Sequence, residues 1–206
     1  MKKILLAIAL VAVSAFATSA SKTHDGFFLN FALGFGYQNI SYVISDYQYK
    51  TFDESGAATD IDFKIGGRIM NNMLLHATWT GTTLIESFDG YNKNGHKIDY
   101  KANMSLFGIG VTYYFLENYL VTGSLGIAQF HANEDVKIFH GTVTTGFGDD
   151  INAGFGFQIG GGKEWWIADE WGIGATASIL YGFASNEADT KESSFAISLR
   201  LSATYN

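Results

Sequence analysis

Bulky apolar residues and small or polar residues alternate without interruption along the last segment of the chain, residues 194–205. Leu199 and Leu201 share one parity, whereas Ser198 and Arg200 share the other. Because successive residues of a β-strand point to opposite faces of a sheet, this alternation predicts one long strand whose two faces meet different surroundings.

The same alternation recurs seven more times, with turn residues such as Asn71-Asn72 between the segments. In these segments the bulky apolar residues largely share one parity, and small or polar residues occupy the other. The eight predicted strands cover residues 26–38, 59–69, 73–83, 100–115, 119–130, 150–166, 171–183 and 194–205.

The connections between the predicted strands alternate in length. Those after the second, fourth and sixth strands take only a few residues, whereas those after the first, third and fifth take roughly 15 to 20. Short turns at one end and long loops at the other are typical of outer-membrane barrels, and an even strand count returns both termini to the short-turn side. The pattern therefore predicts an all-β fold, an eight-stranded antiparallel up-and-down transmembrane β-barrel.

The chemistry of the two faces indicates which one lines the interior. Eight strands enclose little more room than side chains need, so the small and polar face is expected inside. Arg200 lies mid-strand, and facing lipid near the midplane it would cost ~2–4 kcal/mol, whereas inside it can pair with an acid. Aromatic residues of outward parity gather near both ends of the strands, as expected at two membrane interfaces: Tyr37, Trp79, Tyr113, Tyr119, Trp165, Trp171, Tyr181 and Tyr205.

The first residues of the chain have the pattern of a secretory signal peptide. Lys2 and Lys3 precede an apolar run, Ile4–Val13, and then small residues that allow cleavage after Ala17 or Ala20. The run is shorter than the ~20 apolar residues that a membrane-spanning helix needs. We therefore expect a signal peptide over residues 1–20 and an outer-membrane barrel domain over residues 21–206.

Composition and charge narrow the expected partners and location. Without Lys2 and Lys3 the chain has 11 basic and 20 acidic residues, a net charge near −9, which argues against nucleic acid as a partner. Cysteine is absent, which excludes disulfides, and the absence of proline suits a chain of paired strands. We expect a monomer surrounded by the lipid of a bacterial outer membrane, with both termini in the periplasm.

The chain resembles the small eight-stranded outer-membrane barrels of OmpA and OmpX type. The resemblance covers the mature chain and rests on strand number, loop asymmetry, the alternating last strand and Gly-x-Gly segments such as Gly108-Ile109-Gly110. It implies insertion by the barrel assembly machinery, which in this family recognises a terminal strand that usually ends in an aromatic residue. Here Tyr205 is followed by Asn206.

Charged residues of inward parity gather near the short-turn end of the predicted barrel. One interpretation is a gate or a proton-linked channel; the other is a paired charge network that plugs the interior, because buried charges must be paired. We favour the plug. The residues of this predicted lumen network are Arg68, His76, Glu164, Glu170 and Arg200.

Two other chemistries can be tested against the sequence. His76 lies near threonines, but no serine of clearly matching parity accompanies it, so we predict no catalytic residues and no enzymatic activity. His131, Glu134, Asp135 and His140 fall in one long loop at spacings that match no dedicated metal site. We therefore predict neither a metal ion nor a cofactor.

The first long connection is rich in aromatic residues. Such residues in an exposed loop can recognise a partner, or they can belong to extensions of the flanking strands beyond the membrane. We predict a structural or surface-interaction role through the long loops, for an unknown extracellular ligand. A narrow channel for ions or small solutes is the alternative, and a lipid or envelope hydrolase the second alternative. The candidate loop contacts are Tyr42, Tyr47, Tyr49 and Phe52.

Overall fold

The fold was analysed in a computed structural model that describes residues 22–24, 26–44, 50–86, 88–91, 97–138, 141–145, 152–185 and 191–206. The predicted signal peptide and the loop residues Tyr47 and Tyr49 lie outside these ranges. Within them, no helix has the length and apolar character needed to cross a membrane.

The described residues form ten strands, of which eight are long. The long strands correspond one by one to the eight predicted strands, whereas the short strands β4 and β7, which pair with β5 and β6, were not predicted. The bounds are β1 Phe27–Ile44, β2 Lys50–Met70, β3 Met73–Leu84, β4 Phe88–Tyr91, β5 Lys97–Phe115, β6 Tyr119–Ile138, β7 Gly141–Thr145, β8 Asn152–Trp166, β9 Trp171–Ser185 and β10 Lys191–Tyr205.

The eight long strands close into an antiparallel barrel, because β1 pairs with β10 and β5 pairs with β6. Moving from Leu29 on β1 to each registered partner in turn, one circuit of the barrel ends at Asn39, ten residues further along the same strand. A stagger of this kind requires strands that tilt relative to the barrel axis. The circuit passes through Ile65, Ala77, Ile109, Leu125, Phe157, Tyr181 and Phe195.

One end of the barrel carries three tight turns and is called the turn end here. Asn72 has φ 58°, and the 116–118 turn places Leu116, Glu117 and Asn118 at φ 36°, 56° and 69°. Asparagine tolerates this left-handed region, whereas leucine and glutamate are uncommon there. Backbone bonds stabilise these turns: the Tyr114 amide donates to Asn72 O at 2.8 Å, and the Glu164 amide donates to Asn118 O at 2.9 Å.

The opposite end, called the hairpin end here, extends further than the sequence predicted. The ladder between β1 and β2 continues to the pair Ile44 and Lys50, and Tyr42 is registered opposite Phe52. β6 continues to Ile138, eight residues beyond the predicted limit. Part of each predicted loop is therefore a continuation of the barrel wall, because the strands keep pairing beyond the apolar band.

The outer wall of the barrel is apolar. Leu199 and Leu201 are each 73 % exposed, and many other large hydrophobic side chains of the same parity are open to the surroundings. All eight predicted interface aromatics lie on this wall, with contacts such as Trp171 against Tyr205 at 5.4 Å between ring centroids. A continuous apolar surface of this size is stable against acyl chains rather than water.

The interior differs from the expected filling of small and polar side chains. A hairpin-end cluster of ten buried apolar residues includes Leu106, Phe130 and Leu180, and a turn-end cluster consists of Phe28, Leu74, Tyr114 and Leu120. Both clusters pack where the narrow barrel excludes solvent, as in the core of a soluble protein. Polar and charged side chains occupy the layer between the two clusters.

The orientation of the wall can be tested with two exposed leucines. Leu199→Arg places a charge in the middle of the apolar band and should lower the free energy of unfolding by ~2–4 kcal/mol, whereas Leu116→Arg, in the 116–118 turn, should cost only ~0–1 kcal/mol. Both leucines are more than 70 % exposed in the fold. Urea unfolding in phospholipid vesicles measures the difference, and equal effects would contradict a lipid-facing wall.

Candidate functional site: the ion-pair network in the barrel interior

Four charged side chains meet in the polar layer of the barrel. Asp60, Asp62 and Lys64 occupy successive inward positions of β2, and Arg200 points inward from β10. All four are at most 4 % exposed. The alternation of side chains along β2 brings its three charges onto one face, and the closure of the barrel brings Arg200 to them.

Gly34 makes this meeting possible. It lies on β1 between the two charged strands, registered with Asp60 on one side and with Arg200 on the other. A Cβ atom at this position would lie 2.5 Å from Leu199 O and 2.9 Å from the Cγ atom of Arg200. The arginine side chain can therefore cross β1 because residue 34 has no side chain.

Arg200 is the centre of the network. Its Nη1 donates to Asp62 Oδ2 at 3.0 Å, its Nη2 donates to Asp60 Oδ2 at 2.8 Å, and its Nε lies 2.5 Å from Asp60 Oδ1. Lys64 Nζ donates to Asp62 Oδ2. Two cations thus face two carboxylates, which makes the group neutral as a whole and provides the pairing that buried charges require.

Neutral side chains add further hydrogen bonds around these charges. Arg200 Nη2 also donates to Thr80 Oγ1 at 3.1 Å, and Ser198 Oγ donates to Asp60 Oδ2 at 3.1 Å. Because the proton of Ser198 is used in that bond, Ser178 Oγ donates to Ser198 Oγ across 2.8 Å. With its amide oriented so that the oxygen faces Arg200, Gln158 accepts from Nη2 at 3.0 Å.

His76 belongs to a second, separate polar cluster. Its Nδ1 and Nε2 lie 2.8 Å and 3.0 Å from the hydroxyls of Thr78 and Thr112. Ser124 is also near, contrary to the sequence-based expectation, but its hydroxyl pairs with Thr78 at 3.0 Å. The imidazole is 2 % exposed, so these residues are a hydrogen-bonded filling of the interior without access for a substrate. Thr122 extends the cluster through Thr112 at 2.9 Å.

Glu164 lies at the turn end, apart from the ion-pair network and from the polar cluster around His76. Its carboxylate accepts from Tyr114 Oη at 3.3 Å and from Asn206 Nδ2 at 3.5 Å. His24 stacks on the Tyr114 ring, with 3.4 Å between centroids, and its Nε2 lies 3.2 Å from Asn118 Oδ1. These groups fill the mouth of the barrel.

Two residues predicted for the lumen network are placed elsewhere. Arg68 is exposed: it keeps the regular register of β2 with β3, opposite Leu74, but it is the last residue before the register shift at the turn end. Glu170 lies in the turn before β9 and accepts a hydrogen bond from Tyr205 Oη at 2.6 Å, on the outer wall. The prediction that they belong to an interior network is wrong for both.

Hydrogen bonds and ion pairs of the two interior clusters involve side chains from seven of the eight barrel strands. One cavity of about 30 Å³ lies beside them, bounded by Lys64, Arg200 and Tyr114 among others, and it has room for one or two water molecules. It is flanked by the turn-end cluster. Interior side chains therefore fill the barrel across its width and at both ends of the polar layer.

The remaining candidates lie at the hairpin end. Among the described residues, no three His, Cys, Asp or Glu side chains are arranged to hold a metal ion. Of the loop residues considered for a metal, His131 lies on β6, and His140 lies outside the described ranges. The backbones of Tyr42 and Phe52 pair across β1 and β2.

Sequence reasoning found Arg200 and its need for an acidic partner but not which acids it meets. Asp60, Asp62 and Lys64 have inward parity on the second predicted strand, but the sequence alone does not show that they meet Arg200. The available signal was their spacing of two along one strand, together with the inward glycine at residue 34. The registers of β1 with β2 and with β10 place Asp60 and Arg200 on either side of Gly34, and these registers cannot be read from one strand.

The closed barrel with an apolar outer wall and a filled interior defines this protein as an integral membrane β-barrel. The sequence profile of the family described as "Outer membrane protein beta-barrel domain" matches residues 4–202. The chain belongs to this family, and its location is the bacterial outer membrane. Among curated proteins, no significant match is found.

Solved structures of other outer-membrane barrels are similar in fold to this chain. Ail of Yersinia pestis, in complex with the heparin analogue sucrose octasulfate, is 12 % identical with a TM-score of 0.44, covering 85 % of this chain and 98 % of its own. Neisserial surface protein A is 12 % identical with a TM-score of 0.49, covering 86 % and 96 %. OprG of Pseudomonas aeruginosa is 10 % identical with a TM-score of 0.42, covering 90 % and 98 %. Similarity at this level carries no argument about activity.

The ion-pair network predicts a strong coupling between Arg200 and Asp60. Arg200→Met leaves two buried carboxylates against one ammonium and should lower the free energy of unfolding by about 3–5 kcal/mol. The double variant with Asp60→Asn restores the charge balance and should be less destabilised than the sum of the single variants. Urea titration of each variant in phospholipid vesicles measures these free energies of unfolding.

The exposed Arg68→Met is the matched control and should change stability by less than about 0.5 kcal/mol. If Arg200→Met were as mild as this control, or strictly additive with Asp60→Asn, Arg200 would not be held by these carboxylates.

Proposed function

We propose that this protein is a non-conducting outer-membrane barrel that acts through its hairpin end, as a structural or surface-interaction protein. In this proposal the turn end faces the periplasm, because short turns on that side and long connections outside are usual for such barrels. The barrel then serves as a rigid support for the segments that it projects beyond the membrane.

The observation that carries the proposal is the filled interior. The hairpin-end cluster, the ion-pair network and the turn-end cluster follow one another along the axis, and each consists of buried side chains. A continuous path for ions would require the removal of paired charges and of apolar packing at more than one level. This favours a surface role over a channel.

The hairpin end supplies the surface that the proposal needs. The paired extension of β1 and β2 and that of β5 and β6 carry the barrel wall past the apolar band, and the short strands β4 and β7 add to β5 and β6 there. On the β1 and β2 extension, Ser41 Oγ donates to the Asp53 carboxylate. Recognition residues on a rigid scaffold lose little conformational freedom on binding.

A hydrolase role has less support in the described residues. The one buried histidine considered for catalysis, His76, is enclosed by Thr78, Thr112 and Phe28. A general base must lie within hydrogen-bond reach of the reacting proton in a plausible substrate position. No such position adjoins this imidazole, since the surrounding side chains are packed against it.

The proposal predicts no stepwise conductance from the purified protein. In a planar bilayer at high potassium chloride, the wild-type protein should leave the current at baseline, while a large-diameter porin measured in parallel gives open channels. Arg200→Met should also remain closed, because both apolar clusters stay in place. Regular current steps from the wild-type protein would overturn the proposal in favour of a channel.

A second prediction concerns the aromatic residues of the first long connection. Replacing Tyr42, Tyr47, Tyr49 and Phe52 by serine should abolish the binding of cells displaying the protein to an array of immobilised glycans and proteins. Thr142→Ser and Thr144→Ser together change a different hairpin and serve as the control. Unboiled samples should keep the mobility of the folded barrel in electrophoresis. Unchanged binding by the aromatic variant would contradict a role for this connection.

A further inference from the structure

A positively charged side chain lies on the outer wall near the turn end. Lys163 shares the outward parity of Trp165 on β8, whereas Glu164 between them is buried inside. The registered partner of Lys163 on β6 is Tyr119, the first residue after the 116–118 turn. The lysine therefore lies where the wall passes from the apolar band to the turns.

Tyr119 covers one side of the lysine ammonium. Nζ lies 4.4 Å from the centroid of the tyrosine ring, a distance at which the ring face attracts a cation. On the other flank of β8 the registered neighbour of Lys163 is Ala175, whose side chain is a single methyl group. The ammonium contacts the ring on the β6 side, and the methyl group of its registered neighbour on the β9 side is too small to cover it.

No carboxylate pairs with this ammonium in the described part of the chain. The neighbouring Glu164 is turned inward to Tyr114, and Glu170 accepts a hydrogen bond from Tyr205. Lysine carries three N–H donors and no acceptor. Within the described ranges its printed contact is the Tyr119 ring, so these donors remain available to an anion from the surroundings.

We propose that Lys163 and Tyr119 form a binding site for the phosphate of a glycerophospholipid in the leaflet at the turn end. The phosphate accepts hydrogen bonds from Nζ on the side that the ring leaves open, and the acyl chains follow the apolar wall above Ala175. This inference rests on the proposed orientation, which places glycerophospholipid at the turn end.

The depth of the site agrees with this ligand. Headgroup phosphates lie at the level of the aromatic belt, and Tyr119, Trp165 and Trp171 belong to the belt predicted at this end. Lysine stems lie along apolar surface while the ammonium reaches the polar headgroups. A basic residue near anionic lipid contributes about fivefold to affinity.

The test is a lipid titration followed by native mass spectrometry of the folded protein in a phosphate-free detergent. The probes are dioleoylphosphatidylglycerol, a galactosyl diacylglycerol with the same chains, and inorganic phosphate. Phosphatidylglycerol should bind about fivefold more weakly to Lys163→Met than to the wild-type protein. Binding of the galactolipid, which has no phosphate, should be the same for both proteins.

Three variants separate the site from general packing. Lys163→Arg keeps the charge and should retain phosphatidylglycerol binding, whereas Tyr119→Leu removes the ring and should weaken it. Lys191→Met, at the exposed start of β10 on the hairpin end, is the matched control and should bind as the wild-type protein does.

Equal phosphatidylglycerol binding by Lys163→Met and the wild-type protein would overturn the proposal. So would an equal loss with the galactolipid, because the lysine would then act through packing alone. Inorganic phosphate that binds as tightly as the phospholipid would show a site for the free anion and overturn the lipid assignment. Current steps in the bilayer experiment would reject the proposed function and leave these binding results unaffected.

Discussion

The narrowness of an eight-stranded barrel is the constraint on which the rest of this structure depends. Its strands leave space inside for side chains and little else, so inward residues lose most of their contact with water. Arg200 is tolerated there because Asp60 and Asp62 meet it directly, and Lys64 balances the second carboxylate. Removing water strengthens such ion pairs and makes each unpaired charge costly. The loss of any one charged member of the network is therefore strongly destabilising.

The same constraint explains how one chain serves two opposite surroundings. Outside, Leu199 and Leu201 face acyl chains; inside, the neighbouring Ser198 and Arg200 take part in a hydrogen-bonded core. A one-residue slip of β10 would exchange these faces, and it would place Arg200 in lipid. The buried ion pairs and the apolar wall therefore favour the same register of β10. Together they disfavour a slipped register more strongly than either would alone.

The sequence was sufficient for the eight long strands and for the direction of most of their side chains, because both follow from alternation within one segment. It was insufficient for the filling of the interior. The inward face was predicted to be small and polar, whereas the large apolar side chains of Leu106, Leu180 and Phe130 are buried there. It also left the acidic partners of Arg200 open. That pairing depends on the registers of β1 with β2 and with β10, which place Gly34 between Asp60 and Arg200 and cannot be read from any one strand.

A filled interior also limits which surfaces of the protein are available for the proposed binding of a partner. Arg200 and Asp60 are bonded to each other and to side chains of other strands, so changes at either residue act first on stability. The outer wall is limited to groups that lipid accepts, such as the Lys163 and Tyr119 pair at its edge. The hairpin end has neither restriction, because its paired strands extend beyond the apolar band. In the proposed surface role, the chemistry that distinguishes one partner from another lies at this end, on a barrel whose interior residues hold it closed.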